Sequence, residues 1–146
     1  MESKTFFSKK GFGRRRQSGK EIIMEKIYTK NAPEAIGPYS QAVKVGNIVF
    51  TSGQIAINPA SGAVEATDIA SQTEQVCKNL SAVLEAAGTS LEKAVKTTCF
   101  LADMGDFAAF DEIYGRYFTS KPARSCVAVK TLPKNVLCEV VVIAEL

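Results

Sequence analysis

The sequence contains no histidine, and its four cysteines form no C-x-x-C pair. Histidine is the usual general base of enzymes, so its absence excludes Ser-His-Asp and Cys-His catalytic arrangements. The wide spacing of the cysteines also removes most zinc sites. Any catalysis must therefore use carboxylates, Arg, Lys, Tyr or backbone groups. The cysteines themselves are expected to fill core positions as small apolar side chains. They are Cys77, Cys99, Cys126 and Cys138.

Long apolar segments are missing as well. No run of apolar residues reaches the length that a bilayer-spanning helix needs, and the N-terminus lacks the apolar stretch of a secretory signal. These absences favour a cytosolic protein that does not enter a membrane.

The net charge of +3 is unevenly distributed. Residues 1–23 contain seven Lys or Arg against two Glu, a net of +5, so the rest of the chain carries −2. A mildly acidic body does not favour nucleic-acid binding through a basic face. Residues 1–23 lack apolar periodicity and are expected to lie outside the fold. They are interpreted either as a vector-derived or upstream-start extension before Met24, or as a basic targeting or nucleic-acid-binding arm. Residues 24–146 are expected to form one domain.

The first half of this domain contains clear local signals. Residues 42–45 and 48–52 are apolar segments on either side of Gly46-Asn47, which favours a two-residue hairpin turn. A loop through "NPASG" follows. Asp68 predicts the N-cap of a helix that ends at Gly88. The apolar stripe of this helix, which should be buried, contains Ile69, Val76, Leu80, Val83, Leu84 and Ala87.

The second half predicts a strand, a helix and a hairpin. Alternation over residues 93–101 indicates a strand with Val95, Thr97, Cys99 and Leu101 on one side. A helix starting at Asp106 carries an aromatic stripe that is typical of a core: Phe107, Phe110, Tyr114, Tyr117 and Phe118. The last two strands are expected to pair as a hairpin through "TLPKN". Together, these predicted elements indicate an α+β fold with two helices on one face of a mixed sheet of about six strands. Its uncovered apolar face predicts a closed homo-oligomer.

A glutamate lies in the middle of the last apolar strand. Glu139 shares a face with Leu137, Val141 and Ile143, and burial of an unpaired charge is costly. The nearest fixed cation in sequence is Arg124. An arginine and a glutamate that share a cleft would suit a small carboxylate substrate.

The predicted hairpin sets the distance between these two residues. Centred on Pro133, it would pair Arg124 with about residue 142 and leave Glu139 about 10 Å away along the strand. That gap leaves room for a small substrate, or for completion of the site by a neighbouring chain.

Four segments together resemble the motifs of the Rid family of enamine/imine deaminases, specifically its RidA branch. They are "GPYSQAV" at 37–43, "TSGQI" at 51–55, "PARSC" at 122–126 and "CEVVVIAEL" at 138–146. The resemblance covers residues 24–146. It implies a chorismate-mutase-like fold, a homotrimer with active sites between subunits, and hydrolysis of 2-iminopropanoate and 2-iminobutanoate, or their enamine tautomers, without a cofactor.

The resemblance also implies roles for individual residues. Arg124 would grip the substrate carboxylate, Glu139 would activate the attacking water, and the Cys126 backbone carbonyl would polarise the imine nitrogen or hold the water. Tyr39 and Ser52 would wall the substrate, and Gly53 would let backbone come close. A surface salt bridge remains the structural alternative for Arg124, and a lid over the core the alternative for Tyr39.

Two departures from the family pattern concern specificity. Asp111 stands where many relatives have asparagine, which adds negative charge near the substrate, and the loop 119–121 is shorter than in some members. Two other functions remain open: binding or cleavage of single-stranded RNA, and a non-catalytic ligand-sensing or chaperone-like trimer that uses the same clefts.

Overall fold

The computed structural model describes residues 23–146, so the predicted basic extension falls almost wholly outside the described residues. The described chain forms one six-stranded sheet, a short two-stranded hairpin and two α-helices. The sheet strands are β1 (Met24–Ile27), β2 (Ala42–Val45), β3 (Ile48–Thr51), β6 (Ala94–Leu101), β7 (Ala123–Ala128) and β8 (Cys138–Glu145). The hairpin strands are β4 (Ile57–Asn58) and β5 (Ala63–Val64), and the helices are α1 (Ile69–Ala86) and α2 (Phe107–Tyr117).

The strand order is β1-β2-β3-β8-β6-β7. All neighbours pair antiparallel except β6 and β7, which run parallel and are joined through α2. The predicted α+β class, with two helices on a mixed sheet of six strands, is confirmed. The β2-β3 hairpin is confirmed too, because Gly46 takes a φ of 57° that residues with a side chain rarely adopt.

Helix α1 begins and ends where its capping residues predict. The Ser71 amide donates a 2.9 Å hydrogen bond to Asp68 Oδ1, which satisfies one free amide of the first turn. Gly88 ends the helix at a φ of 88°, and the Thr89 amide returns to the Leu84 carbonyl. The buried stripe of α1 packs against α2, β3 and β8.

Helix α2 covers the other half of the same sheet face. Phe110, Tyr114 and Phe118 are buried, and Phe107 and Tyr117 pack at the edge of the core, as the aromatic periodicity predicts. Cys77, Cys99 and Cys138 are fully buried and unpaired. Burial raises the pKa of Cys99 to about 12 and that of Cys138 to about 11, so these thiols stay neutral. They fill the core as expected.

The prediction of a terminal hairpin is wrong. Strand β8 lies between β3 and β6, and β7 pairs with β6 at the edge of the sheet. Arg124 is therefore opposite Thr97, and Thr97 in turn is opposite Val142. The turn at Pro133–Asn135 carries the chain across β6 instead of folding it back on itself. Strand β7 follows α2 and pairs in parallel with β6, so β6 separates β7 from β8 although the two are consecutive in sequence.

Two smaller differences come from local irregularities. Thr97, Cys99 and Leu101 are buried as predicted, but Val95 is 49% exposed. The register between β6 and β8 shifts between Ala94 and Lys96, so the bulge turns Val95 to the other face. The segment read as a loop through "NPASG" contains the hairpin of β4 and β5.

The face of the sheet opposite the helices remains uncovered. Its exposed apolar side chains include Phe50 and Val127, and its half-buried ones include Val141 and Ile143. Neither helix of residues 23–146 has the length and apolar character that a membrane crossing requires.

Candidate functional site

Glu139 lies near the start of β8 on the uncovered face of the sheet. It pairs in register with Phe100, whereas its neighbours Cys138 and Val140 face the helices. Burial raises the pKa of its carboxyl group, and none of residues 23–146 offers it a hydrogen bond or an ion pair. A half-buried carboxylate without a partner can accept a proton or bind a polar ligand.

Gly53 explains how this carboxylate is accommodated. A Cβ atom at Gly53 would lie 2.0 Å from Glu139 Oε1, so a side chain at position 53 would displace the Glu139 carboxylate from this position. The neighbouring Gln54 fixes the approach, since its amide and carbonyl bond the Val140 carbonyl and amide at 2.9 and 3.2 Å. The Asn79 amide on α1 secures the same loop by donating to the carbonyls of Ile55 and Ile57. The backbone around Glu139 is thus tied to both the sheet and the helix.

Tyr39 stands on a second loop beside Gly53. Ser52 links the two loops, because its hydroxyl donates to the Ser40 carbonyl at 2.6 Å and its amide to the Gln41 carbonyl at 2.9 Å. The Gln41 side chain is buried and bonds the backbone of Thr29 and Pro33. Tyr39 is half exposed and faces a cavity, so it is not a lid over the core.

These residues enclose a cavity of about 340 Å³, which we call the Glu139 cavity. Tyr39, Ser52, Gly53 and Glu139 all line it. The remaining lining residues are mainly apolar: Pro33, Glu34, Ile36, Gln54, Ile55, Ile57, Pro133 and Lys134. An apolar cavity with one free carboxylate suits a small organic substrate and a water molecule.

Arg124 lies on the edge strand β7 and faces the helix side of the sheet. Its Nη1 donates to Asp111 Oδ1 at 2.5 Å, and its Cζ lies 4.8 Å from the centre of the Tyr114 ring and 5.4 Å from that of Phe107. Burial alone would lower the guanidinium pKa, but the hydrogen bond and charge of Asp111 outweigh it and raise that pKa. The ion pair and the aromatic rings fix the guanidinium in position.

Tyr114 is itself held in position by the sheet. Its hydroxyl shares a 2.6 Å hydrogen bond with buried Thr97, which pairs with Arg124 in the sheet. Cys126 follows on the same face of β7, and burial raises the pKa of its thiol despite the nearby Arg124. A thiol whose pKa is raised is a poor nucleophile, so the Cys126 side chain itself offers no nucleophilic chemistry.

Arg124 borders a second cavity of about 450 Å³, which we call the Arg124 cavity. Its other lining residues are Asp111, Tyr114, Gly115, Phe118, Thr119, Lys121 and Pro122. The short loop 119–121 forms one wall, and Lys121 turns there at a φ of 54°. The salt bridge considered for Arg124 is thus present, but it is partly buried and borders a cavity.

The two cavities do not meet within one chain. Arg124 and Glu139 are two strands and three residues apart, or about 14 Å between Cα atoms at ordinary strand spacing, and they face opposite sides of the sheet. The expectation that both residues share a cleft is therefore wrong for the single chain. The structure groups Tyr39, Ser52, Gly53 and Glu139 in one place, and Arg124, Cys126 and Asp111 in another.

Several residues of these cavities were not singled out from the sequence. The aromatic stripe predicts Tyr114 only as a core residue, although a helix that packs this stripe over β7 must contact Arg124. Gln41 and Asn79, which hold the loops of the Glu139 cavity, are buried polar residues with no motif of their own. An amide in an otherwise apolar helical stripe, as at Asn79, is the one signal that could have identified such a residue.

A family model described as Endoribonuclease L-PSP matches residues 29–146. The chain belongs to this family. Among its relatives, a RutC family protein of Pyrococcus horikoshii is 54% identical over 123 residues, covering 84% of this chain and 98% of the relative. The 2-iminobutanoate/2-iminopropanoate deaminase of Escherichia coli is 49% identical over 122 residues, covering 81% of this chain and 94% of that protein.

Solved structures agree with the fold. A protein of unknown function of the conserved Rid protein family from Yersinia pestis matches with a TM-score of 0.83 and 48% identity, over 85% of this chain and all of that chain. The predicted resemblance to the Rid family is thereby confirmed at the level of the family.

Proposed function

We propose that this protein is a deaminase of the RidA branch, which hydrolyses 2-iminopropanoate, 2-iminobutanoate and the enamine 2-aminoacrylate to 2-oxo acids and ammonia. The observation that carries the proposal is the half-buried, unpartnered Glu139 carboxylate, seated against Gly53 in an apolar cavity. The name of the Escherichia coli relative supports the same reaction.

The proposed active site is formed between two chains. Within one chain Arg124 and Glu139 face opposite sides of the sheet, so a single substrate cannot contact both. Members of the family are characteristically trimers, and the exposed apolar face around Phe50 and Val127 offers a surface for such assembly. In a ring of three chains, the Arg124 cavity of each subunit would meet the Glu139 cavity of the next.

The chemistry follows from the groups present. Arg124 binds the substrate carboxylate through two parallel N–H donors. Glu139 accepts a proton from water as the oxygen attacks the imine carbon, which gives a tetrahedral carbinolamine. The same carboxyl group returns that proton to the nitrogen, and then carries the proton of the carbinolamine hydroxyl to the nitrogen as the carbonyl forms, the C–N bond breaks and ammonia leaves the 2-oxo acid. One imine and one water thus yield one oxo acid and one ammonia, and the reaction needs no oxidant or cofactor.

Ribonuclease activity, which the family description suggests, has less support in this chain. Residues 24–146 carry a net charge of −2, and the basic cluster lies within residues 1–23. Phosphate contacts by Lys and Arg supply most of the affinity of nucleic-acid-binding proteins. A sensing trimer would use the same cavities but would bind a 2-oxo acid without turning over the imine.

The test supplies the enamine from a pyridoxal-phosphate dehydratase and measures release of 2-oxo acid and ammonia with and without this protein. Acceleration by the wild-type protein and loss of about 10²–10⁴ in kcat for Glu139→Gln would support the proposal. Glu145→Gln is the matched control, because Glu145 is on the same strand but exposed and distant from the cavity.

Binding and competing activities are measured on the same preparations. Arg124→Lys should lose about 2–3 kcal/mol of transition-state stabilisation, since an ammonium cannot reproduce the bidentate contact. Exposed Arg116→Lys serves as its control. Unaccelerated hydrolysis together with tight binding of a 2-oxo acid would reject catalysis in favour of sensing, and cleavage of a labelled single-stranded RNA would favour the ribonuclease.

A further inference from the structure

The Arg124 cavity contains an ion pair that is only partly used by the protein. Asp111 Oδ1 accepts from Arg124 Nη1, and the two side chains are 46% and 24% exposed. Across the described residues, Arg124 Nε and Nη2 donate to no protein group, and Asp111 Oδ2 accepts from none. Because both residues line the Arg124 cavity, one edge of the guanidinium and one oxygen of the carboxylate are left for a ligand bound there.

These free atoms have complementary requirements. The Nε and Nη2 edge presents two parallel N–H donors, which match the two oxygens of a carboxylate. An ionised Asp111 is acceptor-only, so its free oxygen requires an N–H or O–H donor from the ligand. A ligand that satisfies both has a carboxylate with a hydrogen-bond donor on the adjacent carbon.

The substrate and the product of the proposed reaction differ at that adjacent position. A 2-imino acid carries an N–H group there, and it carries two when protonated. The 2-oxo acid carries a ketone oxygen, which is acceptor-only and would face the Asp111 carboxylate without a proton between them. A site built to pair with a donor discriminates strongly against an analogue that lacks one.

We propose that Asp111 is a specificity-determining residue that accepts a hydrogen bond from the nitrogen of the bound 2-imino acid and disfavours the 2-oxo acid. This inference rests on the proposed function and deepens it. Asp111 does not simply weaken the binding of anions, because its charge is compensated by Arg124. It shifts the binding preference of the site from the 2-oxo acid to the 2-imino acid, and so promotes release of the product.

The test compares two stable ligands by calorimetry on the full-length protein. 2-Aminobutanoate carries the donor nitrogen, and 2-oxobutanoate is the product-like ligand. The wild-type protein should bind 2-aminobutanoate more tightly. In Asp111→Asn the ratio of the two dissociation constants should move toward the oxo acid by on the order of 10–100-fold, because the neutral amide can donate to a ketone.

Glu112→Gln is the control, since it removes a carboxylate and an arginine contact from the same helix but outside the cavity. It should leave the ratio unchanged. An unchanged ratio in Asp111→Asn, or a wild-type protein that binds neither ligand, would overturn the inference.

Turnover separates this inference from the proposed function. Normal imine hydrolysis with an unchanged binding ratio would reject only the role of Asp111. A shifted ratio in a protein that hydrolyses no imine would reject the deaminase and leave Asp111 as the determinant of ligand choice. In an active enzyme, Asp111→Asn should also be inhibited by 2-oxobutanoate at on the order of tenfold lower concentration than the wild type.

Discussion

Mixing Arg124→Lys chains with Glu139→Gln chains should restore activity that neither variant has alone. The two residues are about 14 Å apart within one chain and face opposite sides of the sheet, so each proposed site takes its arginine from one chain and its glutamate from the next. A mixed trimer therefore contains sites in which an intact Arg124 meets an intact Glu139.

The size of the recovery follows from the symmetry. In a head-to-tail ring assembled from equal amounts of both variants, each interface has the productive order in about one case in four. The mixture should reach about a quarter of the wild-type rate per chain, well above the sum of the separate variants. A site contained in one chain would give no recovery, because every chain carries one defect.

The assay refolds or co-expresses the two variants with different tags, confirms mixed trimers by native mass spectrometry, and measures ammonia release from enamine generated in situ. Wild-type chains mixed with the double variant give the converse control, with about a quarter of full activity for shared sites and about half for sites within one chain. Mixed trimers without recovered activity would refute the shared site.

Three further predictions concern single features of the chain. Gly53→Ala should lower kcat by at least about tenfold with little change in 2-oxo acid binding, because the added Cβ would lie 2.0 Å from Glu139 Oε1 and must displace the carboxylate; a normal pH–rate profile and rate would contradict this. Burial raises the pKa of Glu139, so the folded state favours the protonated carboxyl group. The stability that this protonated group contributes at low pH is lost as the pH rises through the folded-state pKa, because the buried ionised form opposes folding. Glu139→Gln should accordingly melt at or above the wild-type temperature at pH 7 while the rate falls, and kcat/KM of the wild type should decrease below the raised pKa; a strongly destabilised variant would assign Glu139 to structure. A chain that starts at Met24 should keep the oligomer size and the rate of the full chain, which sedimentation and the coupled assay would measure, since residues 1–23 contain no apolar periodicity; loss of assembly would show that they belong to the fold.

The parts of the fold that the sequence predicts are those determined by neighbouring residues. The β2-β3 hairpin depends on the backbone freedom of Gly46, and α1 on the cap at Asp68 and the stop at Gly88. Each signal acts within a few residues, so it is readable without knowledge of the rest of the chain.

Strand order is a different kind of information. The segment after β7 is long enough either to turn back or to cross β6, and local propensity is the same in both cases. The choice depends on which strands bury more apolar surface together, which is a property of the complete sheet. The exposure of Val95 is equally unpredictable, because the β-bulge between Ala94 and Lys96 does not interrupt the alternating pattern of the sequence.

The candidate site shows the same division. Motifs identify Arg124 and Glu139 individually, but the face on which each side chain lies depends on register across three strands. Because the sequence wrongly predicts that β7 pairs with β8, it also wrongly predicts that Arg124 and Glu139 share a cleft within one chain. The sequence shows Asp111 as a departure from the family pattern, and only the packing of α2 over β7 shows that it pairs with Arg124.

The opposite orientation of Arg124 and Glu139 has a consequence for how activity depends on concentration. A newly synthesised chain would hold two incomplete halves of a site and would be catalytically silent until it met its partners. The specific activity would then follow mass action, falling on dilution as trimers dissociate and recovering on reconcentration. Substitutions on the apolar face around Phe50 and Val127 would appear as kinetic defects in dilute assays, although those side chains lie outside both cavities.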